Sequence, residues 1–183
     1  MKRTRRIQLF SLLSFLLFFY GCLQRRTTEQ ILFDFESDSD LDRLSWKCHT
    51  LFVLSEIHST HGGHCLKLDL YPSGYPGVFF NLETGDWSTY RSLGFDLFNA
   101  QSRTVPLTIR IDDRLDYPDL PDRYNVSFSF NPGMNHFVLP LKDLITAGSR
   151  KALNLEQIRR FMIYMVNPAE KATFYLDNVR LIP

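Results

Sequence analysis

The sequence predicts an all-β fold, an antiparallel β-sandwich, on three observations. Apolar and polar residues alternate with a period of two from Ile31 onward, the alternating runs are short, and Gly, Pro and Asn turn chemistry separates them. In "ILFDFES", Phe33 and Phe35 alternate with Asp34 and Glu36, and in "LKLDL", Leu66, Leu68 and Leu70 alternate with Lys67 and Asp69. The runs "GVFFNLE", "LGFDLFN", "VPLTIRID", "NVSFSFN", "HFVLPL", "FMIYMV" and "TFYLDNVRLI" continue the series, to nine or ten strands. Between them, "HGGH", "PSGYPG", "ETGDW" and "NPGMN" are turns.

Particular elements stand out. "FMIYMV" is apolar on both faces, which predicts a central strand. Near residues 154–161, "NLEQIRRF" predicts one short helix, with Asn154 as cap and Gln157 reaching back to it. In "TFYLDNVRL", Phe174 and Leu176 share a parity that Val179 and Leu181 do not, so an extra residue, a bulge, is expected at Asp177 or Asn178. Residues 31–183 are expected to form one domain.

The opening "MKRTRRIQLFSLLSFLLFFYGC" places Lys2, Arg3, Arg5 and Arg6 ahead of an apolar run from Ile7 to Tyr20, the pattern of a secretory signal. The run is shorter than the ~20 residues a helix needs to cross a bilayer. Phe19-Tyr20-Gly21-Cys22 resembles the bacterial lipoprotein box; Gly21 and Cys22 fit it, Phe19 and Tyr20 depart from it. The expectation is a signal peptide over 1–21, a lipidated Cys22, and a polar tether over 22–30; an uncleaved N-terminal anchor is the alternative. Both readings place the domain outside the cytoplasm, in the periplasm or on the cell surface, and on a membrane through its N-terminus.

Removing the signal takes the basic residues from 21 to 17 against 20 acidic ones, so a formal charge of +1 becomes −3. A mildly acidic chain offers no electrostatic footprint for a phosphate backbone, which excludes nucleic acid as a partner. Cys48 and Cys65 are free to pair in an oxidising compartment. A hairpin around His49–His58 and His64–Tyr71 opposes Cys65 to His58, out of reach of Cys48, and favours two separate buried thiols.

"FDFES", "YPGVFFNLETGDWSTYRSLGFDLFN", "RIDDR" with "DRYNVSFSFNPGMNHFVLPLKDL", and "FYLDNVRL", in that order, resemble the galactose-binding-like jelly-roll modules found on glycoside hydrolases and fused to VanZ-like membrane proteins. The resemblance implies a carbohydrate-binding-type sandwich without catalytic activity of its own. It also implies a structural calcium near the paired first and last strands, on Glu36 with Asp34 and Asp177 as companions. The alternative is that Asp34 and Glu36 are the solvated face of an edge strand. Trp87 and Tyr90 match a position that in such modules serves packing.

The stretch "IDDRLDYPDLPDRYNV" repeats Asp-Arg around a proline loop. Strand parity turns Val105, Leu107, Ile109 and Ile111 inward and puts Thr108, Arg110 and Asp112 on the outer face. Val126, Phe128 and Phe130 likewise turn inward. The candidate ligand site is therefore Arg110, Asp112, Asp113, Arg114, Asp122 and Arg123, with Tyr117 and Tyr124 beside them and Tyr75, or its neighbour Tyr71, as a stacking platform. Guanidinium forks and carboxylates bridge neighbouring hydroxyls, and a ring covers the apolar face of a sugar. The competing reading is a staple, Arg114 to Asp122 and Arg123 to Asp113, although exposed pairs contribute only ~0–1 kcal/mol each.

Two other signals weigh less. His58, His61 and His64 in "HSTHGGH" suggest zinc, but they straddle a Gly-Gly turn. A hydrolase would use Asp112, Asp113 and Asp122 as acid and base, and the neighbouring arginines oppose the raised pKa an acid needs. The function expected is a membrane-anchored, non-catalytic binding module for a glycan or envelope polysaccharide; the alternative is an assembly lipoprotein that contacts an envelope protein.

Overall fold

Eleven strands stack in two antiparallel layers in a computed structural model. The structure describes residues 28–183 apart from residues 83, 84, 115 and 117 and the side chain of residue 47. The signal segment, Cys22, most of the tether, and Tyr117 lie outside the described residues.

The chain runs through β1 (Gln30–Phe33), a short helix α1 (Asp38–Asp42), β2 (Leu44–Lys47), β3 (Thr50–Ser55), β4 (Cys65–Leu70), β5 (Gly77–Phe80) and β6 (Ser92–Asn99). It continues through β7 (Val105–Asp112), β8 (Tyr124–Phe130), β9 (Gly133–Pro140), β10 (Arg160–Tyr164) and β11 (Ala172–Ile182). One sheet has the order β3-β4-β11-β6-β9, with β1 also on β11; the other has the order β2-β5-β10-β7-β8. Strand β10, cut from the doubly apolar "FMIYMV", is central in the five-stranded sheet, as its composition predicts.

The period-two residues supply the core. Val105, Leu107, Ile109 and Ile111 from one sheet and Leu66, Leu68 and Leu70 from the other are all buried. Aromatic rings fill the middle: Phe80 stacks on Phe161 at 4.7 Å and Phe95 on Phe137 at 4.7 Å. Each such side chain removed from water contributes roughly 1.5–3 kcal/mol. Trp87 is fully buried and Tyr90 nearly so, and the Tyr90 hydroxyl donates to Gln30 Oε1 at 2.7 Å.

The expected bulge is present. The β11–β6 register shifts between Asp177 and Arg180, and Asn178 takes a positive φ of 53°. The shift turns Val179 and Leu181 back into the core on which Phe174 and Leu176 already pack. The helix expected near 154–161 is one 3-10 turn, Leu155–Gln157, capped by the Asn154 side chain, which accepts from Glu156 N. It is shorter than expected because β10 takes over at Arg160. Helix α1 has no apolar periodicity to announce it; the Asp40 carboxylate holds it by accepting from Phe35 N at 2.9 Å and pairing with Arg43 at 3.1 Å.

The cysteines differ from expectation. Both are free, but Cys48 is exposed and only Cys65 is buried. Cys65 opposes Ser55, not His58, because the hairpin loop after β3 is longer than the period-two reading allows. Burial pushes the Cys65 thiol up to about 12.

Candidate functional site

The outer face of the five-stranded sheet carries a groove. Cross-strand pairing sets Met162 of β10 beside Arg110 of β7, and Arg110 beside Asn125 of β8, in one row; Tyr164, Thr108 and Ser127 form the next. The groove encloses about 320 Å³, near the lower bound of small-ligand sites. Leu120 and Arg123 of the proline loop form one wall, and Tyr75 with Val166 the other. Tyr75 meets Tyr164 edge to face, with ring centroids 6.0 Å apart.

Beneath the floor lies a buried ion cluster. Asp112, 0% exposed, accepts from Arg110 Nε at 3.0 Å on both oxygens, from Arg110 Nη2 at 2.6 Å and from Arg160 Nη1 at 2.7 Å. One carboxylate thus clamps two guanidinium groups: it takes the Nε–Nη2 edge of Arg110 and fixes the orientation of that side chain at the groove floor. Tyr164 donates its hydroxyl to Asn125 Oδ1 at 2.7 Å, which fixes a ring and an amide together.

The residues singled out in the sequence divide among five places. Arg110, Arg123 and Tyr75 line the groove. Asp112 is sealed below it. Asp113, Arg114 and Asp122 line a separate polar recess of about 130 Å³ with Thr146, Ser149 and Lys151. Tyr124 pairs with Ile111 in the inward parity and packs in the core, where burial pushes its phenol up to about 12; it does not flank a ligand. Tyr71 lines a different depression beside Cys48 and His49.

The two Asp-Arg dipeptides do not staple each other. Arg114 pairs with Asp116, Asp113 accepts from Asn154 N at 2.7 Å, and Arg123 Nε donates to the Pro118 carbonyl at 2.5 Å. Main-chain bonds hold the proline loop instead: Gly148 N and Ser149 N donate to the Pro121 carbonyl, and Ala147 N to that of Arg123. Sequence reasoning missed Met162, Tyr164, Asn125, Leu120 and Val166. The signal was available for two of them, because the outward parity of "FMIYMV" is Met162 and Tyr164.

At the other sheet, Asp34, Glu36 and Asp177 gather under the 59–64 loop, where the resemblance implies a calcium. Asp177 Oδ2 accepts from Thr60 N at 2.6 Å and His61 N at 2.9 Å; Glu36 accepts from Gly63 N and His64 N. Gly62, at φ +70°, leaves room for the Glu36 carboxyl, which a Cβ there would meet at 2.3 Å. Main-chain N–H groups occupy the lone pairs that a hard cation would need. Among the described residues no three His, Cys, Asp or Glu side chains converge on a point that could hold an ion. The donor set therefore does not fit calcium, nor do the three histidines gather for zinc. Treatment with a chelator is expected to leave the thermal midpoint unchanged; a fall reversed by added calcium would contradict this assignment.

The same region sets an acid response. Asp96 sits across from Asp177 in the β6–β11 pairing. Burial raises its pKa, but hydrogen bonds from His136 and Thr60 and the charge of Arg180 outweigh burial and hold it below the ordinary value of 3.8. Asp69 is likewise lowered, by Thr173 and Lys171 against burial. Lowered carboxylates contribute stability that is complete above the unfolded value and lost as pH falls through the folded one. Asp177, raised chiefly by burial, runs in the opposite sense: its share favours the fold below 3.8 and is lost as pH rises through its higher folded value. Urea unfolding is expected to show stability falling below about pH 4, less steeply in His136→Ala.

Comparisons with known proteins agree with the architecture. The fold is that of the carbohydrate-binding-module class of β-sandwich found on glycoside hydrolases. A family 11 carbohydrate-binding module from Clostridium thermocellum, solved with a β-1,3-1,4-mixed-linked tetrasaccharide, superposes with a TM-score of 0.65 at 18% identity, covering 84% of this chain and 95% of the module. An exo-β-agarase structure superposes at a TM-score of 0.69 and 19% identity, over 84% of this chain and 24% of the enzyme. In sequence, Beta-agarase B of Vibrio sp. (strain JT0107) is 26% identical over 163 residues, 72% of this chain and 17% of that protein. This chain thus spans less than a fifth of that curated relative. No family model matches the sequence.

Proposed function

We propose that the chain is a non-catalytic glycan-binding module, held outside the cytoplasm by a lipid on Cys22, and that the groove on the five-stranded sheet is its binding face. The observation that carries this reading is the groove itself: two tyrosine rings set edge to face beside an Arg110 guanidinium whose orientation a buried carboxylate has already fixed. Preorganised donors and rings lose little freedom on binding, which is how a shallow site holds a flexible sugar chain. The similarity to a module solved with an oligosaccharide supports the reading. Asp112, clasped by two arginines and shut off from solvent, has the geometry of a residue that orients its neighbours and does not meet a ligand.

Affinity electrophoresis in gels containing polysaccharides tests the assignment. Tyr75 is 48% exposed, so Tyr75→Ala is expected to weaken retardation about tenfold with little change in thermal midpoint. Unchanged retardation in that variant, with loss in Leu51→Asp on the outer face of β3, would move the site to the other sheet.

A further inference from the structure

The polar groups of the groove are unequal in kind. Arg110 and Arg123 are donors only. Asn125 has one lone pair of its carbonyl engaged by the Tyr164 hydroxyl and keeps its amide N–H pair for a ligand, so the acceptors left in the groove are few: the rest of that carbonyl and the phenol oxygens of Tyr75 and Tyr164. Thr108 and Ser127, in the neighbouring row, bond each other at 2.7 Å. Leu120, Met162 and Val166 supply no polar side-chain atom beyond a thioether. A neutral polyol brings one hydrogen for every hydroxyl oxygen and so needs acceptors as well as donors. A sulfate or carboxylate brings acceptors alone.

The charge is also one-sided. Among the described residues no carboxylate lines the groove, and Asp112, beneath it, is shared between two guanidinium groups, Arg110 and Arg160. Arg123 is half-buried, and among the described residues its bonded partner is a neutral carbonyl, Pro118. A guanidinium withdrawn from water without a counter-charge favours an anion at its free edge. The Tyr164 phenol sits in the same field: burial raises its pKa, against the Asn125 hydrogen bond and the charges of Arg110 and Arg123, which pull it down.

We propose that the groove is selective for an acidic glycan, one whose sugars carry sulfate or carboxylate groups, with Arg123 meeting the anion. This rests on the groove being the glycan site and adds the class of glycan. It is tested by affinity electrophoresis of the full chain in agarose, a sulfated galactan, polygalacturonate and, as a charge control, polyglutamate, at low and high salt. The expected result is at least about tenfold stronger retention by one acidic polysaccharide than by agarose, weakened by salt. Whether the sulfated galactan or polygalacturonate is held names the anion. Arg123→Gln is expected to erase the preference, and Arg123→Lys to keep part of it, both at an unchanged thermal midpoint. Equal retention by agarose, or a preference that survives Arg123→Gln, overturns the selectivity; if Tyr75→Ala then abolishes binding, the groove stands without it. Polyglutamate held as firmly as the acidic glycan reduces the effect to bulk charge and also overturns it. Retention by no polysaccharide overturns both the selectivity and the groove.

Discussion

Asp112→Ala is expected to destabilise the domain by about 3–5 kcal/mol. The substitution removes a carboxylate that both Arg110 and Arg160 contact, and Arg110, 6% exposed, would be left as a buried charge without that counter-ion. A buried pair adds little over a well-packed apolar replacement, whereas breaking one leaves the full desolvation cost of the survivor. Replacing Asp112, Arg110 and Arg160 together by Leu, Met and Met is therefore expected to recover most of the stability. Binding would not return, because the oriented guanidinium is gone. Urea unfolding of the single and triple variants, beside affinity electrophoresis, separates these roles. A single variant within about 1 kcal/mol of wild type would show that water reaches the cluster and that Arg110 is not held by it.

The second large effect is expected at Asp177. Its carboxylate, 1% exposed, collects Thr60 N, His61 N, the Thr60 hydroxyl and Asn178 N, and so ties the 59–64 loop to the bulge of β11. Hydrogen bonds to a charged group contribute about 1.5–3 kcal/mol each, though not additively. Asp177→Ala is expected to destabilise the fold by about 3 kcal/mol and to speed amide exchange at Thr60 and His61. Asp177→Asn, which keeps an acceptor oxygen, should lose less. Slow exchange at both amides in the alanine variant would show that the loop is held from elsewhere.

Strands were legible in the sequence where one face alone is buried. In "LKLDL" the inward parity reads directly off the residues, and the bulge at Asp177 follows from a parity change that only an extra residue explains. The site was less legible because the same rule misleads on an outer face that is itself half covered. Arg110 and Asp112 read as outer-face residues yet are 5% and 0% exposed: Asp112 is clasped by Arg110 and Arg160, and Leu120 and Arg123 of the proline loop line the groove with Arg110. Met162 and Tyr164 read as core for the opposite reason: an apolar outward parity marks a groove as readily as a buried layer. Tyr124 was misplaced by adjacency, since its parity matches Ile111 and not its neighbour Arg123. The calcium implied by resemblance rests on Glu36 and Asp177, but each accepts from main-chain amides of the 59–64 loop, and these carboxylates do not converge on one point with a third.

The pairing of β1 with β11 also shapes how the molecule bears force. Gln30 opposes Leu181 and Phe33 opposes Val179, so a pull on the leading end of β1 loads its outermost contact first and unzips the strand pair by pair. Every strand that builds the groove belongs to the other layer and shares no pairing with β1. A pull on the chain ahead of β1 would therefore peel away that first strand, a mechanical fuse, before the layer that forms the groove came apart.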